Sequence, residues 1–506
     1  MAIDSKRIAR NTVFMYIRMI IIFGATLYTS RVVLEKLGVV DYGLYSVVYG
    51  TIGMLSFLNG TLSAGTSRFI TFALGENNKQ KLVTTFSTML VSHLLLVGLI
   101  LLLSETIGLW YINNVLVVPP ERVDAARMIF QISIYTTAIT IFQVPFTAEI
   151  MAHERMNVYA YLGIFEAMAK LLVVYLLIKA SCDKLILYSL LNAVVTTFIM
   201  LFFLIYSKKH FEEVRLKLQL NKAIFVSIMK FSGWNIVANI SNTLLTSGVI
   251  LLLNLFFAPV LIAAQAIGAQ ISEAMMQFIN NVRVAVNPQI IKLYADAQYA
   301  ESRKLTLQSA RYIFDLLLLI GLPCIVIMEK LLDIWLVEVP DYAVIFAQLF
   351  VIQSIMDNFN YAFYLPMTAA NKISKNAIIA IALSVFQFIL LYFMFKAGFF
   401  AVWARFLGLI ITIVFSLLIK PYILYKDIDY SLKELVDCIL PCLKVLFVAG
   451  GISLLVYVYM NTDTLLNASL AAFISMVSVI VASYLFAEKN TRRMIVSKVM
   501  SKIKVR

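Results

Sequence analysis

The sequence contains repeated apolar runs of about 20 residues, and this feature most restricts the folds open to the chain. A helix of that length crosses the hydrocarbon core of a bilayer and satisfies its own backbone hydrogen bonds there. Hydrophobic residues make up 61% of the 506 residues and charged residues only 14%, whereas soluble domains carry roughly 25% charged residues. We therefore predict an all-α integral membrane protein with about 14 transmembrane helices. The predicted spans are 11–33, 44–65, 83–104, 128–150, 158–179, 185–207, 232–257, 259–282, 311–330, 343–366, 377–396, 400–420, 438–459 and 465–487.

Lysine and arginine are distributed unequally between the predicted loops. The two termini and the loops on their side carry 29 of them, and the opposite loops carry far fewer, among them Lys36, Arg122, Lys184, Lys330 and Lys396. Because basic residues accumulate on the cytoplasmic side, both termini are predicted to be cytoplasmic in a multi-pass protein of the cell membrane. The net charge of +14 is then a topology signal that also suits anionic lipid headgroups. No folded basic domain remains to bind nucleic acid.

A short motif occurs twice at corresponding helix ends. Pro145 begins Pro-Phe-Thr-Ala and Pro366 begins Pro-Met-Thr-Ala, 221 residues later. Six predicted helices per half give both copies the same orientation, which indicates a parallel repeat. The predicted organisation is an N-terminal six-helix lobe, a C-terminal six-helix lobe, two appended helices and a basic tail, at residues 1–215, 222–430, 431–487 and 488–506.

Four predicted helices carry polar residues at helical spacing. Steps of three and four place each set on one face, where amides and hydroxyls can both donate and accept hydrogen bonds, as sugars require. One interpretation is a shared hydrated cavity, and the alternative is hydrogen bonding that holds helices together. The fourth helix carries Thr136, Thr140, Gln143 and Thr147. The candidate binding residues are Gln143, Asn235, Asn239, Asn242, Gln270, Gln277 and Asn280.

Charged residues within predicted spans are expected to be functional, because each costs roughly 2.5–3.5 kcal/mol near the bilayer centre. Arg18 lies about a third of the way into the first helix. Its side chain could line a cavity or extend to the membrane surface, and the sequence leaves both interpretations open. Glu273 and Asp357 lie deep, on two of the polar stripes. Either acid could alternatively pair with a buried Lys230 or Arg283.

The sequence contains no pattern typical of an enzyme active site, so a non-enzyme without a cofactor is predicted. His93, His153 and His210 lie far apart and lack metal-ligand spacing. No phosphate-binding glycine loop, nucleophile elbow or nucleotide fingerprint occurs. A membrane-embedded polysaccharide polymerase or acyltransferase stays as an alternative of another class.

Several local motifs resemble those of a known family. The segments are Thr29-Ser-Arg-Val-Val-Leu34, Leu37-Gly38, Asp41-Tyr-Gly-Leu-Tyr45, Gly65-Thr-Ser-Arg-Phe69 and Asn287-Pro-Gln-Ile290. The chain resembles the bacterial O-antigen and capsule repeat-unit flippases of the multidrug/oligosaccharidyl-lipid/polysaccharide exporter superfamily. The motifs cover mainly residues 10–75 and 230–295, and the helix count extends the resemblance over the chain.

The resemblance implies two six-helix lobes facing each other in a V, plus two extra helices. It implies transport of an undecaprenyl-diphosphate-linked oligosaccharide to the outer leaflet by alternating access, beside partners such as a polysaccharide polymerase and glycosyltransferases. Arg18 would then pair with the diphosphate. Glu273, Asp357 and Asn360 would carry a coupling proton or sodium ion. A multidrug or cation antiporter of the same superfamily is the alternative. A second relative, the flippase for the peptidoglycan precursor, also has fourteen helices, but its cavity is richer in cationic residues than the polar stripes of this chain.

Overall fold

The computed structural model describes residues 5–53, 66, 69–70, 73–74, 78–153, 155–214, 219–370 and 372–487, without the side chains of 5–20, 156, 230–239, 278, 281, 284, 285, 288, 292 and 295. Every secondary-structure element in these ranges is a helix, which confirms the all-α prediction. The α-helices are α1 (Ser5–Gly53), α2 (Lys79–Leu103), α3 (Leu109–Asn114), α4 (Val123–Ala152), α5 (Met156–Lys179), α6 (Lys184–His210), α7 (Lys222–Thr243), α8 (Val249–Phe256), α9 (Pro259–Ala295), α10 (Tyr299–Val326), α11 (Met328–Trp335), α12 (Ala343–Ala369), α13 (Ser374–Lys396), α14 (Trp403–Val414), α15 (Lys420–Asp427), α16 (Leu432–Tyr459) and α17 (Leu465–Phe486).

Three pairs of helices are joined without a break by a π-helical turn. These turns are Ser104–Gly108, Leu244–Gly248 and Phe415–Ile419. Each pair therefore forms one continuous segment, so the seventh and twelfth predicted spans correspond to α7 with α8 and to α14 with α15. Such π-helical insertions are rare and are often found at functional sites.

Nine helical segments among the described residues are long and apolar enough to cross a membrane. The chain is therefore a multi-pass membrane protein. The nine segments are Lys79–Asn114, Pro120–Ala152, Asn157–Lys179, Lys184–His210, Tyr299–Val326, Ser374–Lys396, Trp403–Asp427, Leu432–Tyr459 and Leu465–Phe486.

Gly38 makes the turn between the first two predicted spans. Its φ of 79° and ψ of 165° interrupt the helical backbone within α1, and a glycine reaches that region without steric cost. Asp41 lies just after this turn and forms an ion pair with Arg122, which also pairs with Asp183. One cation thus joins α1 to the segments that precede α4 and α6. Burial raises the pKa of Asp41, although the attraction of Arg122 opposes the shift.

The predicted loop at 283–311 is wrong. Helix α9 continues to Ala295 and α10 begins at Tyr299, so only three residues connect them. The apolar run reports only the part of a helix that meets hydrocarbon. Polar ends of the same helix continue beyond that part, and hydropathy alone assigns them to a loop.

The chain divides into two compact units. Unit 1 comprises 1–263, 335–340 and 381–401, and unit 2 comprises 264–334, 341–380 and 402–506. Within unit 2, α16 and α17 pack against each other and against α10. The boundaries predicted for the two six-helix lobes stay a prediction.

Candidate functional site

Unit 1 contains a polar cavity of about 350 Å³ among α1, α4, α5 and α6, which we call the threonine pocket. Its volume lies in the range of small-molecule sites. Two residues of the predicted polar stripe on α4, Thr136 and Thr140, face it. The lining residues are Tyr45, Tyr49, Thr136, Thr137, Thr140, Ile141, Lys170, Asn192 and Thr196.

Three threonine hydroxyls of the threonine pocket, those of Thr136, Thr140 and Thr196, donate their protons to their own helices. Thr140 Oγ1 donates to the carbonyl of Thr136 at 2.8 Å, and Thr196 Oγ1 donates to the carbonyl of Asn192 at 2.9 Å. The Asn192 amide donates to the carbonyl of Tyr188, also at 2.9 Å. The side-chain oxygens keep lone pairs for a ligand. The pocket therefore presents acceptors and suits a ligand rich in hydroxyl donors.

Lys170 adds a positive charge to this pocket. It lies 14 residues after the first residue of α5 and 9 before the last, too far from either end for its charge to be explained as an extension to the surface. Its ammonium donates to Glu166 Oε1 at 2.7 Å, and both side chains are partly exposed. A cation beside acceptor oxygens can bind a ligand that carries both phosphate and hydroxyl groups.

An apolar cavity of about 630 Å³ is lined by residues of α4 and α6 alone. It shares no lining residue with the threonine pocket.

Unit 2 contains a second polar group of residues, around Asp357 on α12. The Asn360 amide donates to Asp357 Oδ1 at 2.8 Å, and Lys420 Nζ donates to the backbone carbonyl of Asn360 at 2.6 Å. Lys420 is only 3% exposed. Both Lys420 and Arg283 attract the carboxylate electrostatically. Asp357, Lys420 and Arg283 together form what we call the charged cluster.

Arg283 is buried within this cluster and bonded to neutral groups. Its guanidinium donates to Asn280 Oδ1 at 3.1 Å and to Asn358 Oδ1 at 3.2 Å. The same guanidinium stacks over the Tyr361 ring, 4.5 Å from the ring centroid. Asn358 in turn donates to the carbonyl of Ala310 at 2.8 Å, which fixes its orientation. Neighbouring dipoles therefore hold the arginine in place.

Several predicted site residues do not line the threonine pocket. Gln143 is half-buried and its amide reaches Thr147 Oγ1 at 3.4 Å on its own helix. Asn242 and Gln277 are exposed, and Gln270 is half-buried. Asn280, also a predicted binding residue, accepts a hydrogen bond from Arg283 of the charged cluster.

The two predicted coupling acids differ in exposure. Glu273 is exposed, whereas Asp357 is half-buried. Glu273 follows Ser272, whose hydroxyl lies 2.6 Å from that of Ser354 on α12. Asp357 and Asn360 lie three residues apart on α12, and their side chains are in contact. The side chains of Arg18, Asn235 and Asn239 lie outside the described residues.

Sequence analysis missed the cations that the structure brings to these sites. Lys420 is the last residue of the predicted span 400–420, but the helix continues to Asp427. Arg405 is 5% exposed, with its guanidinium 4.4 Å from the centroid of the Phe350 ring.

Comparisons with solved structures find the same fold in membrane transporters. The lipid II flippase MurJ, in an inward closed conformation, matches with a TM-score of 0.69 at 13% identity, over 96% of this chain and 100% of that chain. An inward-facing multidrug resistance transporter of the MATE family, MOP superfamily, matches with a TM-score of 0.67 at 13% identity, over 78% and 92%. The MATE multidrug transporter DinF-BH, solved as a complex with a ligand, matches with a TM-score of 0.63 at 15% identity, over 84% and 96%.

Sequence comparisons give no corresponding match: no protein-family model and no curated protein matches this chain. The chain has the fold of the MATE and MurJ transporters.

Proposed function

We propose that this protein is a flippase that moves an undecaprenyl-diphosphate-linked oligosaccharide from the cytoplasmic to the outer leaflet. The observation that carries the proposal is the threonine pocket, an acceptor-rich cavity with a lysine halfway along a membrane-spanning helix. The proposal is supported by the fold of the lipid II flippase, which covers 96% of this chain, against 78% and 84% for the two multidrug transporters.

The two parts of such a substrate have opposite requirements. A sugar diphosphate cannot cross hydrocarbon unaided, because its charges and hydroxyls would lose their hydration. In the threonine pocket, the oxygens of Thr140, Thr196 and Asn192 accept hydrogen bonds from sugar hydroxyls, and Lys170 pairs with phosphate. The prenyl chain stays in lipid, where its burial costs nothing.

Transport in one direction needs a driving step, for which we propose a proton gradient acting on the charged cluster. A sodium ion at Asp357 would be repelled by Lys420 and Arg283, which both act on this carboxylate. Proton exchange between Asp357 and Lys420 avoids this repulsion, because it brings no additional metal cation into the cluster. Glu273, exposed and outside the cluster, suits this role less well.

A multidrug exporter is the second candidate. The multidrug transporter DinF-BH has the same fold, and the paired rings of Tyr45 and Tyr49, 4.2 Å apart, could stack on a flat cation. The positive charge of Lys170 opposes a cationic substrate.

Purified protein in liposomes distinguishes the two candidates. A fluorescent lipid-linked oligosaccharide is placed in both leaflets, and the fraction protected from a membrane-impermeant quencher is followed with time. In parallel, uptake of a flat cationic rhodamine dye is measured under an imposed proton gradient. Loss of protection for the oligosaccharide without dye transport is expected. Dye transport without oligosaccharide movement would support the exporter instead.

A further inference from the structure

A second cluster of ionisable residues lies in unit 1, away from the threonine pocket. Glu149 and His153 occupy the last turn and the C-cap of α4, and Glu213 lies in the segment that follows α6. Glu149 and His153 are four residues apart, so their side chains lie on one helix face. One donor atom from each of the three residues lies within 4.8 Å of the other two.

We propose that Glu149, His153 and Glu213 bind a divalent transition-metal ion such as Zn²⁺. An imidazole nitrogen and two carboxylate oxygens are a ligand set that suits this class of ion, and three protein ligands leave a position for water. Two carboxylates and a neutral imidazole carry two negative charges, which a divalent ion balances.

The buried position of Glu149 independently supports a bound cation. The residue is 0% exposed, and within the described part of the chain neither carboxylate oxygen has a hydrogen-bond partner. Glu149 Oε2 is directed toward His153 Nε2, 3.7 Å away. Burying a carboxylate without partners costs several kcal/mol, and a metal ion bound to this oxygen would remove that cost.

The geometry needs only small movements to accept the ion. His153 Nε2 lies 2.6 Å from Glu213 Oε1, and ligands of a tetrahedral ion with bonds of about 2.0–2.2 Å lie roughly 3.5 Å apart. Side-chain rotation at Glu213 supplies that difference. The imidazole stacks on Phe211, with centroids 4.2 Å apart and planes 11° from parallel, which fixes the ring orientation.

The site is also accessible. The His153 side chain is 27% exposed, whereas those of Glu213 and Glu149 are 10% and 0% exposed. An ion could therefore enter past His153 and be held by the buried carboxylates. Because Glu213 follows α6 and precedes α7, the bound ion would tie the chain between these helices to the end of α4.

Metal binding is tested on full-length protein purified without a polyhistidine tag and stripped with a chelator. Co²⁺ is titrated and its visible absorption is followed, and Zn²⁺ competition then gives the Zn²⁺ affinity. We expect one equivalent per chain, without the near-ultraviolet thiolate band that the cysteines would produce. His153→Asn and Glu213→Gln should each lower affinity by more than the roughly 10–100-fold that loss of an outer-shell partner costs.

His210→Asn is the matched control, because His210 is exposed and its ring stacks on Tyr206 instead. It should bind Co²⁺ as the unchanged protein does. Since Glu213 lies outside a helix, Glu213→Gln remains informative if His153→Asn fails to fold. Absence of saturable binding by the unchanged protein would overturn the proposal, as would equal affinity in Glu213→Gln.

Discussion

Gly43→Ala is expected to destabilise the protein by steric conflict between two backbones. A Cβ atom built on Gly43 would lie 2.1 Å from the carbonyl oxygen of Pro259 and 2.7 Å from its carbonyl carbon. Ordinary contacts begin at 3.4 Å, so α1 and the start of α9 would have to separate by about 1.3 Å. Overpacking typically costs about 1–3 kcal/mol, and the upper end applies here because neither contact is with a flexible side chain.

The expected change in unfolding temperature follows from the size of unit 1. About 290 residues at roughly 2.1 cal/mol/K each give an unfolding entropy near 0.6 kcal/mol/K. A loss of about 3 kcal/mol then lowers the unfolding temperature by about 5 °C. Unfolding is followed in detergent by tryptophan fluorescence, because Trp110 and Trp335 belong to unit 1.

Gly24→Ala is the control on the same helix, since a Cβ there meets nothing within 4 Å. Alanine gains up to about 1 kcal/mol in helix propensity, so this variant should unfold at the original temperature or slightly above it. Equal unfolding temperatures for both alanine variants would refute the close approach of Gly43 to Pro259.

Two further predictions concern buried charges. Arg122→Ala should cost about 1–3 kcal/mol, because it removes the cation beside Asp41, which is only 5% exposed. Burial already raises the pKa of Asp41, so ionising this carboxyl lowers the stability of the folded protein as pH rises. The stability lost in Arg122→Ala, measured by thermal unfolding, should therefore shrink at acidic pH, where Asp41 is protonated. A loss that does not change with pH, or an equal loss in the exposed Arg127→Ala, would contradict this. Lys420→Met should destabilise the protein by about 2–3 kcal/mol, because it leaves the Asp357 carboxylate uncompensated. Adding Asp357→Asn should restore part of the lost stability, since it removes that carboxylate. Fully additive losses of stability in the double variant would mean that the two groups do not interact.

Hydropathy located the membrane helices closely because every spanning segment must be an apolar helix long enough to cross the hydrocarbon core. The last span was predicted at 465–487, and α17 runs from Leu465 to Phe486. The error at 283–311 has the same origin, because the extensions of α9 and α10 beyond their apolar parts are polar. Their helical structure depends on packing and on helix propensity, which hydropathy does not measure.

The candidate sites were only partly predictable. Helical spacing put Thr136 and Thr140 on one face, and the structure places both in the threonine pocket. The residues that complete this pocket, such as Asn192 and Lys170, come from other helices, and a single sequence does not reveal which helix faces meet. The sequence did not indicate a site at Glu149 either, because its neighbours His153 and Glu213 come together only when α4 packs against the segment after α6.

The central claim is that the threonine pocket receives the head of a lipid-linked oligosaccharide, and the initial rate of flipping in liposomes tests it most directly. The double variant Thr140→Val/Asn192→Leu removes two acceptors, each worth about 1 kcal/mol, so the rate at low substrate concentration should fall roughly 10–30-fold. Thr26→Val is the matched control, because the Thr26 hydroxyl also donates to its own helix, at 2.8 Å from the Ile22 carbonyl, but does not line the pocket. Unchanged flipping in the double variant, at equal protein in the liposomes, would contradict the account.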